Sequence, residues 1–303
     1  MPYTGELIAL CTVLCWTISV QFFEAASKRV GPTPVNIIRI ATALILFSAY
    51  LYIKNGDLVP VDFPVRSWVY LGLSGVIGFF RGDLCLFKAL VELGPRLSLL
   101  IFSLSAPTAA VFGWTFLSET YAPFQWLGML VTLSGVCTVI LEKNPPLPGQ
   151  KIQRAASLKG VLFGIGAMTG QAGGYVMSKT GMQTPDGFLD AFAATQIRAI
   201  AAFVCFAVFF TVTRRWGHVR TAVKDTRALA YTATGSLIGP FIGVSLSLMV
   251  LKYLTAGIAS TFLSLTPVCI IPFSIYLHKE HVTFRAFIGA VIAVAGIWML
   301  MCK

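Results

Sequence analysis

Ten runs of about twenty mainly apolar residues, each closed off by proline, glycine or charge, follow one another along the whole of this 303-residue sequence. A helix needs about 20 such residues to cross a bilayer core about 30 Å thick. In lipid, a segment must also satisfy its own backbone hydrogen bonds, which a helix does within itself. The runs therefore predict an all-α integral membrane protein with transmembrane helices near 5–29, 33–53, 67–90, 96–117, 122–141, 156–179, 190–212, 227–251, 256–277 and 282–302. Composition agrees, since 12% of residues are charged where soluble domains carry about 25%. No soluble domain of useful size fits between the runs. The first run lacks a basic leader and a small-residue cleavage site, and it is read as a retained span rather than a signal peptide.

The net charge of +11 reflects topology rather than a nucleic-acid partner, because the basic residues are scattered over short loops instead of gathered on one face. Fourteen Lys and Arg fall in loops after odd-numbered spans, against five on the other side: Lys54, Arg66, Lys179, Lys252 and Lys303. Basic loops stay cytoplasmic, so both termini are expected to face the periplasm of a bacterial inner membrane. The seven cysteines all lie in apolar runs with no C-x-x-C pair, which reads as packing and gives neither a metal nor a redox centre. No cofactor or metal is expected. No P-loop, H-E-x-x-H or prenyl-diphosphate motif is present, so an enzyme is not expected. The partners expected are lipid and a small-molecule solute; the sequence leaves the oligomeric state open and is compatible with a monomer.

Sliding the chain by 161 residues aligns Tyr70 with Tyr231, Gly78 with Gly239, Phe80 with Phe241, Gly82 with Gly243, Ser103 with Ser264, Glu119 with Glu280, Gly128 with Gly289 and Gly135 with Gly296. The Pro-rich stretch 142–159 then separates a first repeat, 1–141, from a second, 160–303. Five spans per copy is an odd number, so the second copy must enter the membrane inverted. Carriers build two gates around one midplane site in this way.

The segments "SLLIFSLSAPTAAVFGWTFLSETYAPFQWLGMLVTLSGVCTVIL" (98–141) and "ASTFLSLTPVCIIPFSIYLHKEHVTFRAFIGAVIAVAGIWML" (259–300) share a proline, then a glutamate, then G-x-x-x-x-x-x-G. With nearly the whole chain, they resemble the drug/metabolite transporter superfamily in its EamA-type branch of ten-helix exporters. The resemblance implies two five-helix repeats around a central solute cavity and alternating access. It lies closest to bacterial exporters of aromatic and neutral amino acids. A carrier of drugs or organic cations is the alternative within that fold, and a passive channel is the alternative outside it.

Candidate solute contacts start from "IGFFRGDLCLF" (77–87), whose later copy "IGPFIGVSLSL" (238–248) lacks both charges. A charge in mid-span costs at least about 2.5 kcal/mol unless paired or wetted. By helical spacing Asp83 shares a face with Phe80 and Phe87, which suggests a handle for a solute amine or a proton. The alternative is a structural ion pair for Asp83 and for Arg81. Trp16, Ser19 and Phe23 in span one, and Gln171, Tyr175 and Ser178 in span six, form polar-aromatic faces suited either to an amino-acid-sized solute or to helix packing. Phe79, Phe80, Ser105 and Ser245 complete the candidate set. Gly82, Pro107, Gly170, Pro240, Gly243 and Pro267 are the candidate hinges, because proline removes a helical hydrogen bond and glycine permits bending. Arg39 and Arg198, in "NIIRIATA" and "TQIRAIAA", read as equivalent architectural cations; Lys88 and Glu92 read as a helix-end pair. Glu119 and Glu280 read as helix-start carboxylates of the spans that follow them.

Overall fold

The computed structural model describes residues 3–141, 157–278 and 284–301. Residues 3–141 form α1 (Thr4–Val30), α2 (Pro32–Asn55), α3 (Val65–Ser74), a π-helical stretch (Gly75–Gly82), α4 (Asp83–Ser103), α5 (Ser105–Leu117) and α6 (Pro123–Ile140). After α7 (Leu158–Met182) comes a two-stranded antiparallel hairpin, β1 (Gln183–Thr184) and β2 (Gly187–Phe188). The rest is α8 (Ala191–Val212), α9 (Trp216–Lys224), α10 (Thr226–Ser236), a second π-helical stretch (Leu237–Gly243), α11 (Val244–Val250), α12 (Ala256–Leu263), α13 (Thr266–His278) and α14 (Phe284–Met301).

Among the described residues, eight helical segments are long and apolar enough to cross a membrane. The other two expected spans, the third and the sixth, are helical but are not among those eight. The third holds Arg66, Arg81, Asp83 and Lys88, and the sixth is diluted by glycines and by Lys159, Gln171 and Lys179. Bulky apolar side chains face outward, with Ile45 70% and Phe116 74% exposed. In water such a surface would drive association; in a bilayer it is the lipid contact.

Element boundaries recur at the offset seen in the residues. Val65 and Thr226 begin α3 and α10, and Gly82 and Gly243 end the π stretches, each pair 161 apart. The breaks at Leu104 and Leu265 are likewise 161 apart. They divide spans four and nine each into two helices. Pro107 and Pro267 therefore lie in the first turn of a new helix, where the missing N–H has no intrahelical acceptor to lose. Pro240 lies inside the second π stretch and Pro272 inside α13. Gly170 lies within α7, which runs unbroken. Gly94 interrupts α4 at φ 78°, ψ 168°, a backbone conformation essentially restricted to glycine.

The chain forms two compact units, each drawn from both sides of the 142–159 stretch. The first comprises 1–80 and 177–253, with Leu71, Phe47, Phe206, Phe210 and Leu248 fully buried. In it α2 packs on α8, α3 on α8, and α1 on α10, the second π stretch and α11. Late residues of α2 meet early residues of α8, as Lys54 does Asp190, so the two helices run antiparallel. The second unit comprises 81–176 and 254–303. There α6 crosses α14 antiparallel through the G-x-x-x-x-x-x-G pairs: a methyl on Gly128 would lie 3.0 Å from Leu300, and one on Gly135 would clash with the backbone of Gly289 and Ala293. The same unit packs α7 on α4, with Gly164 against Ile101 and Gly166 against Cys85. The stretch 142–156, most of the Pro-rich separator, and Glu280 lie outside the described residues.

Candidate functional site

In the first unit, Trp16, Ser19 and Phe23 descend one face of α1 onto glycines spaced four apart. A Cβ on Gly243 would sit 2.8 Å from Trp16, one on Gly239 2.7 Å from Ser19 Oγ, and one on Gly235 2.8 Å from Phe23. The glycines give these three side chains a place in helix packing, while Trp16 and Phe23 stay half-buried and keep surface to offer a solute. Arg39 lies over the Phe23 ring at 5.6 Å. Its counterpart Arg198 is buried and lies over Phe79 at 4.5 Å, with its backbone carbonyl against Gly75. Ser245 is fully buried, and its hydroxyl has no hydrogen-bond partner among the described residues. Ser178 Oγ and Ser74 Oγ share a buried hydrogen bond of 2.6 Å.

In the second unit, Asp83 is half-buried at the start of α4. The π stretch just before it corrects the simple helical face assignment. Hydrogen bonding of the i to i+5 type changes the turn, so Phe80 and Asp83 are not related by the 3.6-residue period. Phe87, four residues into α4, remains on Asp83's face. Arg81 is exposed. Ser105 and Tyr175 are buried, and Gln171 is half-buried. Lys88 lies over the Phe163 ring at 5.0 Å.

Glu119 also departs from expectation. Its carboxylate accepts from the Ala256 N–H at 2.9 and 3.1 Å, so it caps α12 rather than the following helix α6. Tyr121 donates to Glu119 Oε2 at 2.6 Å and accepts from the Gly257 N–H at 3.2 Å. The N-terminus of α12 offers backbone donors with no helical acceptor, and a buried carboxylate is their strongest partner.

Sequence reasoning missed an aromatic set in the first unit. Phe241 packs against Phe47 (5.0 Å between centroids), Tyr50 (6.2 Å) and Phe192 (5.3 Å). Phe80 packs against Phe206 (5.0 Å) and Phe209 (6.3 Å). The available signal was a pair of aromatics three apart on α2, Phe47 and Tyr50, repeated on α8 as Phe206 and Phe209. At the rim of the first set, Lys54 Nζ bonds Asp190 Oδ2 at 2.7 Å and Tyr50 Oη at 3.3 Å.

The sequence profile of the EamA-like transporter family matches residues 3–141 and 158–302. The chain belongs to the EamA-like transporter family. It is thus a multi-pass membrane transporter. It is 25% identical over 301 residues to YhbE, an uncharacterized inner membrane transporter of Escherichia coli K12, covering 96% of this chain and 89% of that one. A shorter match, 26% identical over 121 residues, covers 39% of this chain and 33% of the probable transport protein YPL264C of Saccharomyces cerevisiae. A chain of known crystal structure shares the fold with a TM-score of 0.71 at 16% identity, over 98% of this chain and 97% of that one.

Proposed function

We propose that this family member is a secondary carrier of a bacterial inner membrane. It exports neutral or aromatic amino acids, or closely related metabolites, by alternating access between two inverted five-span copies and without chemical change to the solute. The observation that carries the reading is the family match over both stretches, 3–141 and 158–302. The antiparallel contacts support ten spans rather than eight. For α6 and α14 to run antiparallel, the chain must reverse an odd number of times between them, which requires α7 to cross. With α7 crossing, the antiparallel pairing of α2 with α8 requires the α3 segment to cross as well. These contacts support five spans per copy, and an odd number would invert the second copy relative to the first.

The amino-acid reading draws on the half-buried Trp16, Phe23 and Gln171 and on the mid-span carboxylate Asp83, suited to an amine or a proton. That carboxylate would also serve an organic cation. The test is uptake into liposomes holding the purified protein, with labelled neutral amino acids and labelled organic cations, with and without a pH gradient. Saturable, competable amino-acid uptake is expected. Saturable uptake of cations alone would replace the amino-acid reading with the drug-carrier one, and unsaturable flux would indicate a channel.

A further inference from the structure

The phenylalanine of each π stretch sits in the same aromatic joint, built twice. Phe80 and Phe241 are 161 residues apart, and their partners Phe206 and Phe209 lie 159 residues after Phe47 and Tyr50, the offset that also relates the starts of α2 and α8. Phe80 stands 5.0 Å from Phe206 and 6.3 Å from Phe209; Phe241 stands 5.0 Å from Phe47 and 6.2 Å from Tyr50. Each copy's π stretch is thereby held by the second helix of the other copy. We propose that these two joints are the fixed pivots of the carrier, keeping their geometry while the solute site opens first to one side and then to the other.

The inference rests on the alternating-access reading above. With inverted copies, the second state arises when the copies exchange conformations. Whatever already has one conformation in both copies is unchanged by that exchange, and whatever differs must move. The joints match. The chain just beyond them does not, because α4 runs on from Asp83 past the position equivalent to Val250, where α11 stops. The turn Leu251–Leu254 has helical residues 90–93 as its counterpart. Gly94 at φ 78° likewise faces its equivalent, Thr255, at φ −67°. The chain also passes from the first compact unit to the second directly after Phe80, within the first π stretch. A π stretch carries an extra residue that lets a helix change course without a break, and such stretches concentrate at functional positions. Edge-on aromatic packing then fixes its angle.

The test uses the full chain with its native cysteines replaced. Phe80→Cys with Phe206→Cys, and separately Phe47→Cys with Phe241→Cys, are bridged in liposomes by a short bifunctional thiol reagent. Uptake of the solute panels is expected to stay within about twofold of the unbridged variant. Loss of uptake on bridging, restored by a reductant, overturns the proposal, since a joint that must open cannot work while tied. Hydrogen exchange of the unaltered protein provides a readout that needs neither the variants nor a solute. Amides of 75–82 and 237–243 are expected to be protected to the same degree, and tenfold faster exchange in one stretch than in the other overturns the equivalence. Unaltered protein that takes up neither panel would count against the carrier reading, while the exchange measurement would still decide whether the joints are alike.

Discussion

Glu119 ends one span and holds the start of a helix 137 residues away. Glu119→Ala would strand the Ala256 N–H and the Tyr121 hydroxyl in a buried place. A loss of about 2 to 3 kcal/mol of stability is expected, read as a lowered thermal midpoint in detergent. Glu119→Gln keeps an acceptor but loses the charge, and should fall between the two. Burial first, and the Glu119 carboxylate next, push the Tyr121 hydroxyl well above its ordinary range. A folded-state value above the unfolded one gives stability that is present below about pH 10 and is lost as pH rises further, because the unfolded chain ionises first. Tyr121→Phe should thus start less stable by about 1 kcal/mol and lose less between pH 9 and pH 11, which paired melts at the two pH values would show. Asp83 is tested by function instead. If it is the proton or amine handle, Asp83→Asn abolishes any acceleration by a pH gradient or raises the solute KM; unchanged rate, KM and pH profile would assign it a structural part.

At the scale of elements, glycines decide how closely helices approach. Gly135→Val drives a side chain into the Gly289 and Ala293 backbone, and backbone cannot rotate aside as a side chain can. A cost of about 3 kcal/mol is expected. Gly72→Ala, with nothing within 4 Å of the added methyl, should be neutral or slightly stabilising, and thermal melts of the two variants separate packing from helix propensity. The close α6 and α14 crossing was legible in the sequence because small residues at matched spacing in two apolar helices leave few other uses. The repeat is read from glycines and aromatics at a constant offset. The π stretches were not, since "GVIGFFRG" and "LIGPFIG" show no residue type that dictates an i to i+5 hydrogen bond. That hidden extra residue is why the face shared by Phe80 and Asp83 was misjudged. The cap on α12 was equally hidden, because a carboxylate at a span end looks the same whichever helix it serves. Trp16, Ser19 and Phe23 were legible as one face of α1, but their glycine partners lie more than two hundred residues along the chain.

For the whole molecule, the span count and its direction rest on different physics. The proposed count draws on the antiparallel contacts, and the proposed direction on the bias of Lys and Arg toward loops after odd-numbered spans. Together they predict that Lys159 and α9 face the cytoplasm and the β1–β2 hairpin the periplasm. In a chain freed of native cysteines, Asp186→Cys in the hairpin should react with a membrane-impermeant maleimide on intact cells, while Lys159→Cys and Lys224→Cys should react only after the cells are opened. All three positions are exposed, so failure to react reports the membrane rather than burial. The converse labelling would invert the protein, keep the ten spans and leave the inverted repeat intact. Labelling of Lys159→Cys and Asp186→Cys from the same side would mean that α7 does not cross. The two copies could not then each hold five spans, and an exchange of states between inverted halves would lose its geometric basis.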